Sequence, residues 1–264
     1  MAEIKLLRVI IYFALCVAAF GKPLTWDPCH YDDQACILEM MQSVKRLIAE
    51  GVPELGIPQL DPMEINNITA NVPDFLDLHV KDSVLKGPQT CVYDYSRFDF
   101  RAHNATLAVQ CNLASRGHYQ ATIKKPIMLG IPITHPIHGD GTFTLSLLNT
   151  RLVFDFNFDL VKDKDGVIRI RYLNGKTNYD VNFKNHVGVY SLTGLRNGDV
   201  DISETANDAL NKNWKVMSSM FVTAYIQETV NMFIKPELTY FLKMPASKFI
   251  SGDLNQFLSV DETQ

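Results

Sequence analysis

The stretch NKNWKVMSSMFVTAYIQETVNMFI, residues 211–234, decides the architecture of the chain. It contains neither glycine nor proline, and its apolar residues recur at helical spacing, so it predicts a long helix. One apolar stripe consists of Leu210, Trp214, Met217, Phe221 and Tyr225. A second stripe, well round the helix, consists of Val222, Ile226, Val230 and Phe233. Because both apolar stripes must be buried, we expect other elements to wrap around this helix.

The first 21 residues, MAEIKLLRVIIYFALCVAAFG, predict a secretory signal peptide over residues 1–21. Lys5 and Arg8 precede an apolar run of roughly 12 residues, and the small residue Gly21 precedes Lys22. We therefore expect residues 22–264 to form a secreted, extracellular protein. No later stretch of the sequence approaches the roughly 18 apolar residues of a transmembrane span.

The charge balance speaks against nucleic acid and anionic membranes as partners. The chain has 25 Lys and Arg against 29 Asp and Glu, and removal of Lys5, Arg8 and Glu3 leaves a net charge of about −5. An acidic protein gains no electrostatic attraction to a phosphate-rich surface. We expect no nucleic-acid partner.

Four of the five cysteines follow the signal segment, and disulfides are the default for an exported chain. Cys29 and Cys36 enclose the short polar loop CHYDDQAC, and we expect them to pair, because the rival reading, a zinc site, fits no common ligand spacing. Cys91 and Cys111 fall on adjacent predicted strands and are either a second pair or unpaired core thiols.

Two sequons also suit an exported protein. They predict N-glycosylation at Asn67, in Asn67-Ile68-Thr69, and at Asn104, in Asn104-Ala105-Thr106. Both segments should then lie at the surface.

The centre of the chain alternates apolar and polar residues, which is the period of a half-buried strand. In RLVFDFNFDLV, residues 151–161, one face consists of Leu152, Phe154, Phe156, Phe158 and Leu160. A second run has the same pattern in Phe143, Leu145 and Leu147. KDKDG, residues 162–166, and LNGK, residues 173–176, supply turns, so an antiparallel meander is the simplest connection.

Capping signals place two helices. Asp32 or Asp33 can cap a first helix that runs to about Glu50 and ends at Gly51, with Ile37, Met41, Val44 and Ile48 on its apolar face. The sequence DISE, residues 201–204, resembles a capping box and opens the long helix, which should run roughly 50 Å to Lys235. Pro236 should kink or end it, and ELTYFL adds a turn or two.

These elements predict one α+β domain over residues 22–264. A strongly curved antiparallel sheet rolls around the long C-terminal helix, and a short N-terminal helix accompanies them.

The motifs CHYDDQAC, EGVPELGIPQLDPMEI, GDGTFTLSLLN and NGDVDISETANDALNKNW strongly resemble the insect takeout and haemolymph juvenile-hormone-binding protein family. The resemblance implies an elongated, TULIP-like module whose tunnel holds a hydrophobic ligand, with Cys29 and Cys36 as the amino-terminal disulfide. The hormone-binding members carry a later second disulfide, whereas this chain has no cysteine after Cys111. That difference favours the takeout branch, in which fatty-acid-like or other lipophilic ligands are expected.

Aromatic and methionine side chains on the inner faces are as a set candidates for lining such a tunnel, although any single one of them is more often ordinary core. The candidates are Phe154, Phe156, Phe158, Trp214, Met217, Phe221 and Tyr225. Polar contacts to the ligand could come from Tyr172, Tyr179, Tyr190 and Tyr225.

Enzymatic motifs are absent from the sequence: there is no G-x-S-x-G, no H-E-x-x-H and no phosphate-binding glycine loop. His135 and His138 are expected to be solvated loop residues, and DKDG at residues 163–166 is a turn whose glycine comes too early for a calcium loop. We therefore expect a non-enzymatic carrier of one small lipophilic molecule, such as juvenile hormone, a fatty acid or a similar terpenoid, without cofactor or metal. The alternatives are a secreted lipid-ester hydrolase and a ligand-free signalling or structural module.

Overall fold

The computed structural model describes residues 26–124, 135–173, 178–182, 187–217 and 223–259. The helices are α1 (Gln34–Glu50), α2 (Ser203–Lys212), α3 (Trp214–Met217) and α4 (Thr223–Lys243). The strands are β1 (Cys29–His30), β2 (Met63–Val72), β3 (Leu76–Lys86), β4 (Val92–Asp99), β5 (Asn104–Ile123), β6 (Ile137–Lys162), β7 (Ile168–Tyr172), β8 (Asn178–Asn182), β9 (Val187–Leu192), β10 (Leu195–Asn197), β11 (Val200–Asp201) and β12 (Ile250–Ser251). The predicted signal peptide lies outside the described residues.

Helix α1 forms as its capping signals predict. The side chain of Asp33 accepts a hydrogen bond of 3.0 Å from the backbone N–H of Cys36, which satisfies a free donor of the first turn. The helix ends at Gly51, whose φ of 90° disfavours any residue with a Cβ. The predicted apolar face is buried as a whole: Ile37, Met41, Val44 and Ile48.

The ten-stranded sheet is built on two long strands, β5 and β6, which pair with each other in antiparallel register. The free edge of β5 pairs with β3 and then β4, while the free edge of β6 pairs in turn with β10, β9, β8 and β7. Strand β6 has 26 residues and would span roughly 85 Å if straight. Strands this long twist and coil, so the sheet is strongly curved.

A bulge keeps the two apolar runs of β6 on the same side of the sheet. Buried residues occupy odd positions from 137 to 147 and even positions from 150 to 160. The change falls at Asn149, which has a φ of 55°, and β6 gains one residue on β5 between the pairs Cys111–Thr150 and Leu113–Leu147. An extra residue moves the side chains beyond it to the opposite face of the strand. Both apolar runs predicted from the sequence therefore point inward.

Helix α4 lies in the concavity of the sheet. It packs against β2 at one edge of the sheet, against β7 on the far side of β6, and against α1. Tyr240 and Thr229 of α4 are buried. The sheet therefore curls around this helix, and the predicted α+β fold is confirmed.

The predicted uninterrupted helix from Ser203 to Lys235 is corrected at Asn213. Helix α2 ends at Lys212, and both the backbone N–H and the side-chain amide of Asn213 donate to the carbonyl of Ala209, at 3.0 and 2.9 Å. A side chain that bonds the preceding turn competes with helix continuation. The predicted cap at Asp201 forms in part, since its carboxylate accepts from the N–H of Ser203 at 2.8 Å.

Pro236 does not end the helix, which continues to Lys243 as the ELTYFL pattern suggested. The residues beyond the proline are held by packing: Tyr240 and Phe241 are buried, and their rings lie 5.7 and 4.8 Å from that of Phe249. Burial of two large aromatic residues offsets the hydrogen bond that proline cannot donate.

Two glutamines of α1 pair with the free edge of β4. The amide of Gln34 accepts from the N–H of Phe98 at 2.8 Å and donates to its carbonyl at 3.1 Å. Gln42 accepts from the N–H of Tyr93 at 2.7 Å and donates to the carbonyl of Cys91 at 3.3 Å. These contacts satisfy edge-strand groups and fix the position of Tyr93.

Two asparagines of α2 pair in the same way with the free edge of β9. Asn207 forms both hydrogen bonds with the backbone of Leu192, at 2.8 and 2.9 Å, and Asn211 forms both with Tyr190, at 2.8 and 2.9 Å. Each side-chain amide supplies the donor and the acceptor that one residue of a neighbouring strand would otherwise provide. The contact with Asn211 fixes the position of Tyr190.

Both cysteine pairs form disulfides, Cys29–Cys36 and Cys91–Cys111. The first pair was predicted, and the second resolves the alternative between a bridge and free thiols. Strand β1, which begins at Cys29, pairs in parallel with β12 and so joins the two ends of the described chain. Among the described helices, none has the length and apolar character to cross a membrane.

Candidate functional site

Three apolar cavities follow the inward-facing residues of β5 on the concave side of the sheet. The aromatic cavity lies near residue 107 of β5 and has a volume of about 50 Å³. The middle cavity lies along residues 109–113 and is also about 50 Å³. The far cavity lies along residues 119–123 and is about 110 Å³. The row covers 16 residue steps of one strand, which is roughly 50 Å of strand contour.

The aromatic cavity contains four of the predicted lining residues. Phe154, Phe156, Phe158 and Tyr172 all wall it. The ring of Phe156 lies 5.9 Å from that of Tyr172 and 6.2 Å from that of Phe98, in tilted and edge-on arrangements. Strand period and the β6–β7 pairing therefore bring together residues that the sequence pattern selected separately.

The helices close this cavity from the other side. Met40 and Met41 of α1 and Leu238 and Phe241 of α4 complete its wall. Methionine side chains are flexible and polarisable, so this wall can adapt to ligands of different shape.

The middle cavity adjoins the aromatic cavity and carries the polar groups of the site. The two cavities share Tyr93, Phe154, Ile234 and Glu237 as wall residues. Lys45 of α1 lines the middle cavity but not the aromatic cavity. A carboxyl, a phenol and an ammonium group thus meet within an otherwise apolar lumen.

Tyr93 is hydrogen-bonded to Glu237. Its hydroxyl lies 2.9 and 2.8 Å from the two carboxylate oxygens, so the phenol donates to the carboxyl group. The ammonium of Lys45 donates to the carbonyl oxygens of Cys91 and, at 3.0 Å, of Pro88. Both interactions join helices to the segment around β4.

Burial shifts the protonation of all three groups. It raises the pKa of Glu237 to about 7, although the hydrogen bond from Tyr93 and the charge of Lys45 act in the opposite direction. It lowers the pKa of Lys45 to about 8, with Arg46 acting in the same direction and Glu237 and Asp61 against it. Burial, the charge of Glu237 and the hydrogen bond to it raise the pKa of Tyr93 well above its usual range. Glu237 therefore changes its charge near neutral pH.

Tyr93, Glu237 and Lys45 were not among the residues predicted from the sequence. The available signal was the position of Glu237 between Ile234 and Phe241, at helical spacing on a face that is otherwise apolar. Its partner Tyr93 is 144 residues away in the chain, so the pair is visible only in the folded structure.

The far cavity is almost wholly apolar and contains the predicted residue Tyr190. Phe143 and Leu145 of β6 and Leu210 of α2 wall it together with Tyr119. The hydroxyl of Tyr119 donates to the carbonyl of Thr193 at 2.9 Å, so this phenol is satisfied within the protein.

The remaining predicted lining residues are placed differently or not described. Trp214 packs against the core from α3 but walls none of these three cavities. Phe221 lies outside the described residues, and so do the side chains of Tyr179, Met217 and Tyr225. Their roles stay predictions.

Both sequon asparagines are exposed, as glycosylation requires. Asn67 lies on β2, where its side-chain oxygen contacts Nε2 of His79, and Asn104 is the first residue of β5. Glycosylation of Asn67 and Asn104 stays a prediction.

A serine, a histidine and an aspartate meet where β6 approaches the C-terminal segment, but not as a catalytic triad. Ser259 donates directly to Asp159 at 2.7 Å, and Nδ1 of His103 lies 3.2 Å from the same carboxylate and 3.5 Å from the Ser259 hydroxyl. In a triad the two partners bind opposite nitrogens of the imidazole. Burial alone would raise the pKa of Asp159, but the hydrogen bonds from Ser259, Arg171 and His103 hold it below its usual range.

The described residues contain no cluster of three potential metal ligands. Asp163 begins the predicted hairpin turn and accepts from the N–H groups of Asp165 and Val167, while Gly166 has a φ of 78°. His138, expected in a loop, lies exposed on β6, where it contacts Thr122 at 3.3 Å.

The sequence matches the model of a known family, haemolymph juvenile hormone binding protein (JHBP), over residues 9–251. The chain belongs to the JHBP family. Among solved structures, this JHBP-family chain is similar to Takeout 1 of Epiphyas postvittana, with a TM-score of 0.75 and 23% identity over 86% of this chain and 100% of that chain. At this identity the similarity shows a shared fold, and the resemblance inferred from the sequence is confirmed.

A second similarity, to lipopolysaccharide binding protein, has a TM-score of 0.31 and 10% identity over 76% of this chain and 42% of that chain. It is too weak to carry an argument about this JHBP-family chain. No curated protein matches the sequence.

Proposed function

We propose that this JHBP-family chain is a secreted, non-enzymatic carrier that binds one lipophilic molecule within its row of three apolar cavities, which we call the tunnel. The observation that carries the proposal is the row of apolar cavities along β5, walled by aliphatic and aromatic side chains, with two methionines at the aromatic cavity. Ligand sites are mostly apolar with a few convergent polar groups, and Tyr93, Glu237 and Lys45 supply such groups here.

Burial of the ligand supplies the affinity. Removing roughly 300 Å² of apolar surface from water is worth about 7 kcal/mol at about 25 cal/mol per Å². This corresponds to a dissociation constant in the micromolar range. Because each cavity is small, a chain-like ligand must displace some of the lining side chains. The flexible side chains of Met40 and Met41 let the aromatic cavity widen at little cost in free energy.

The ligand class we propose is a long-chain fatty acid derivative or a terpenoid such as juvenile hormone. The family match supports a hormone-like ligand, and the absence of cysteine after Cys111 favours the takeout-like alternatives. The apolar start of the chain, the two disulfides and the two exposed sequons support secretion.

A fluorescent-lipid displacement titration on delipidated protein tests this proposal. Leu145→Trp places an indole ring in the far cavity of about 110 Å³ and should weaken binding of a long-chain ligand by roughly tenfold, or about 1.4 kcal/mol. Val189→Trp adds the same ring on the exposed face of neighbouring β9 and should bind as wild type.

Three results would count against the proposal. If no lipophilic probe saturates at one equivalent per wild-type chain, the protein is not such a carrier. Equal binding by wild type and Leu145→Trp would remove the far cavity from the site. Steady hydrolysis of a bound ester would favour the lipid-ester hydrolase alternative.

A further inference from the structure

We propose that Glu237, Tyr93 and Lys45 form the recognition point for the ligand's head group and select a neutral hydrogen-bond donor, such as a primary alcohol, over the free carboxylate of the same chain. This inference rests on the proposed carrier function. It assigns the polar end of the ligand to the junction of the aromatic and middle cavities.

The position of Glu237 supports this assignment. It walls both cavities, together with Tyr93 and Ile234, so a chain lying in either one brings its end to the carboxyl group. A buried carboxylate has about four acceptor sites. The single phenol proton of Tyr93, at 2.8 and 2.9 Å from the two oxygens, occupies only part of this capacity, so a residue that lines both cavities can accept a further hydrogen bond.

The neighbouring groups decide which head group fits. The ammonium of Lys45 donates to the carbonyls of Pro88 and Cys91, so two of its three N–H donors are already engaged within the protein. An alcohol can donate to Glu237 without adding charge. A ligand carboxylate would place a second negative group beside Glu237 in a low-dielectric site, where one of the two must take up a proton.

The preference for an alcohol over a carboxylate should depend on pH. Among the described residues, the titratable groups that face Glu237 are Tyr93 from β4 and Lys45 from α1, with Arg46 and Asp61 acting on Lys45. The raised pKa of Glu237, about 7, means that this carboxyl group is mostly neutral in mild acid. The discrimination against a carboxylate ligand should therefore be strong at pH 8 and weak at pH 5.5.

The test compares three probes of equal chain length: hexadecanol, palmitic acid and methyl palmitate. Displacement titrations on delipidated wild type at pH 8 should show the alcohol binding roughly tenfold more tightly than the acid and the ester, as expected for one hydrogen bond to a charged group. At pH 5.5 the alcohol-to-acid ratio should approach one.

Two variants and one control sharpen the test. Glu237→Gln keeps the shape of the side chain but not its charge, and should bring the alcohol-to-acid ratio at pH 8 to one or below. Tyr93→Phe should reduce the ratio less, because the carboxylate remains. Glu39→Gln removes an exposed carboxylate on α1 and should keep the wild-type ratio. If Glu237→Gln does not fold, the pH dependence of the wild-type ratio still tests the inference.

The outcomes separate this inference from the carrier function. If none of the three probes binds, the carrier proposal fails and the head-group assignment fails with it. If all three bind equally, or the acid binds most tightly at pH 8, the carrier stands and the assignment to Glu237 is wrong. A preference for alcohol that survives in Glu237→Gln would also overturn it.

Discussion

Glu237→Gln should change how the stability of the ligand-free protein depends on pH. In the folded protein, burial raises the pKa of Glu237 from 4.5 to about 7, so between these values the folded state holds a proton that the unfolded state has lost. Stability must then fall as pH rises through this interval. At 1.36 kcal/mol per pH unit the interval corresponds to about 3 kcal/mol. Glutamine cannot ionise, so the free energy of unfolding of the variant should not fall in this way over the same pH interval.

Urea unfolding of delipidated protein at pH 4, 6 and 8, followed by tryptophan fluorescence, measures the effect. At pH 4 the variant and wild type should differ by less than about 1 kcal/mol, since a protonated carboxyl and an amide have similar shape and hydrogen bonding. At pH 8 the variant should be the more stable by about 3 kcal/mol. The exposed Glu39→Gln should follow the wild-type profile.

Parallel pH profiles for wild type and Glu237→Gln would refute this reasoning. They would mean that the carboxyl group ionises as freely in the folded protein as in the unfolded chain. A variant that is less stable than wild type at pH 8 would show that the carboxylate is a net stabilising group.

Three further predictions concern the frame around the tunnel. Phe158→Ala removes a ring that is 1% exposed and lies 5.4 Å from that of Phe100. It should lower the free energy of unfolding in urea by about 3 to 5 kcal/mol. Val189→Ala, at a residue that is 50% exposed, should lower it by less than about 0.5 kcal/mol. Asp159→Asn should lower the free energy of unfolding by roughly 1 to 2 kcal/mol at pH 7. The difference from wild type should shrink as pH falls below 4, because the pKa of Asp159 is lowered and its hydrogen bonds stabilise the folded state only while the carboxylate is ionised. A difference that is independent of pH would contradict this. Asn211→Ala removes the amide that bonds the backbone N–H and carbonyl of Tyr190. It should lower the free energy of unfolding by roughly 1 to 3 kcal/mol and speed amide exchange at Tyr190. Lys212→Ala, at an exposed neighbouring residue, should do neither.

Local signals were sufficient for the elements whose stability is local. Helix α1 could be predicted to within one residue because Asp33 caps it, Gly51 ends it and its apolar residues recur at helical spacing. The inward face of residues 152–160 followed from alternation alone, which is why three of the predicted phenylalanines line the aromatic cavity.

Features that depend on distant contacts could not be predicted in this way. The bulge at Asn149 is defined by pairing with β5, and the helix break at Asn213 by a side-chain hydrogen bond that competes with the helix. Glu237 is a lone acidic residue on an apolar helix face in the sequence, but its partners Tyr93 and Lys45 are brought to it only by the fold. The residues to which we assign head-group recognition could therefore not be identified from the sequence pattern.

The central claim is that the tunnel carries one lipophilic molecule, and mass spectrometry of the intact, secreted protein under non-denaturing conditions tests it most directly. The account predicts a complex of one chain with one apolar molecule, loss of that mass after solvent extraction, and its return when a long-chain lipid is added. A protein that shows only its bare mass before extraction, and that takes up no lipid afterwards, would contradict the account.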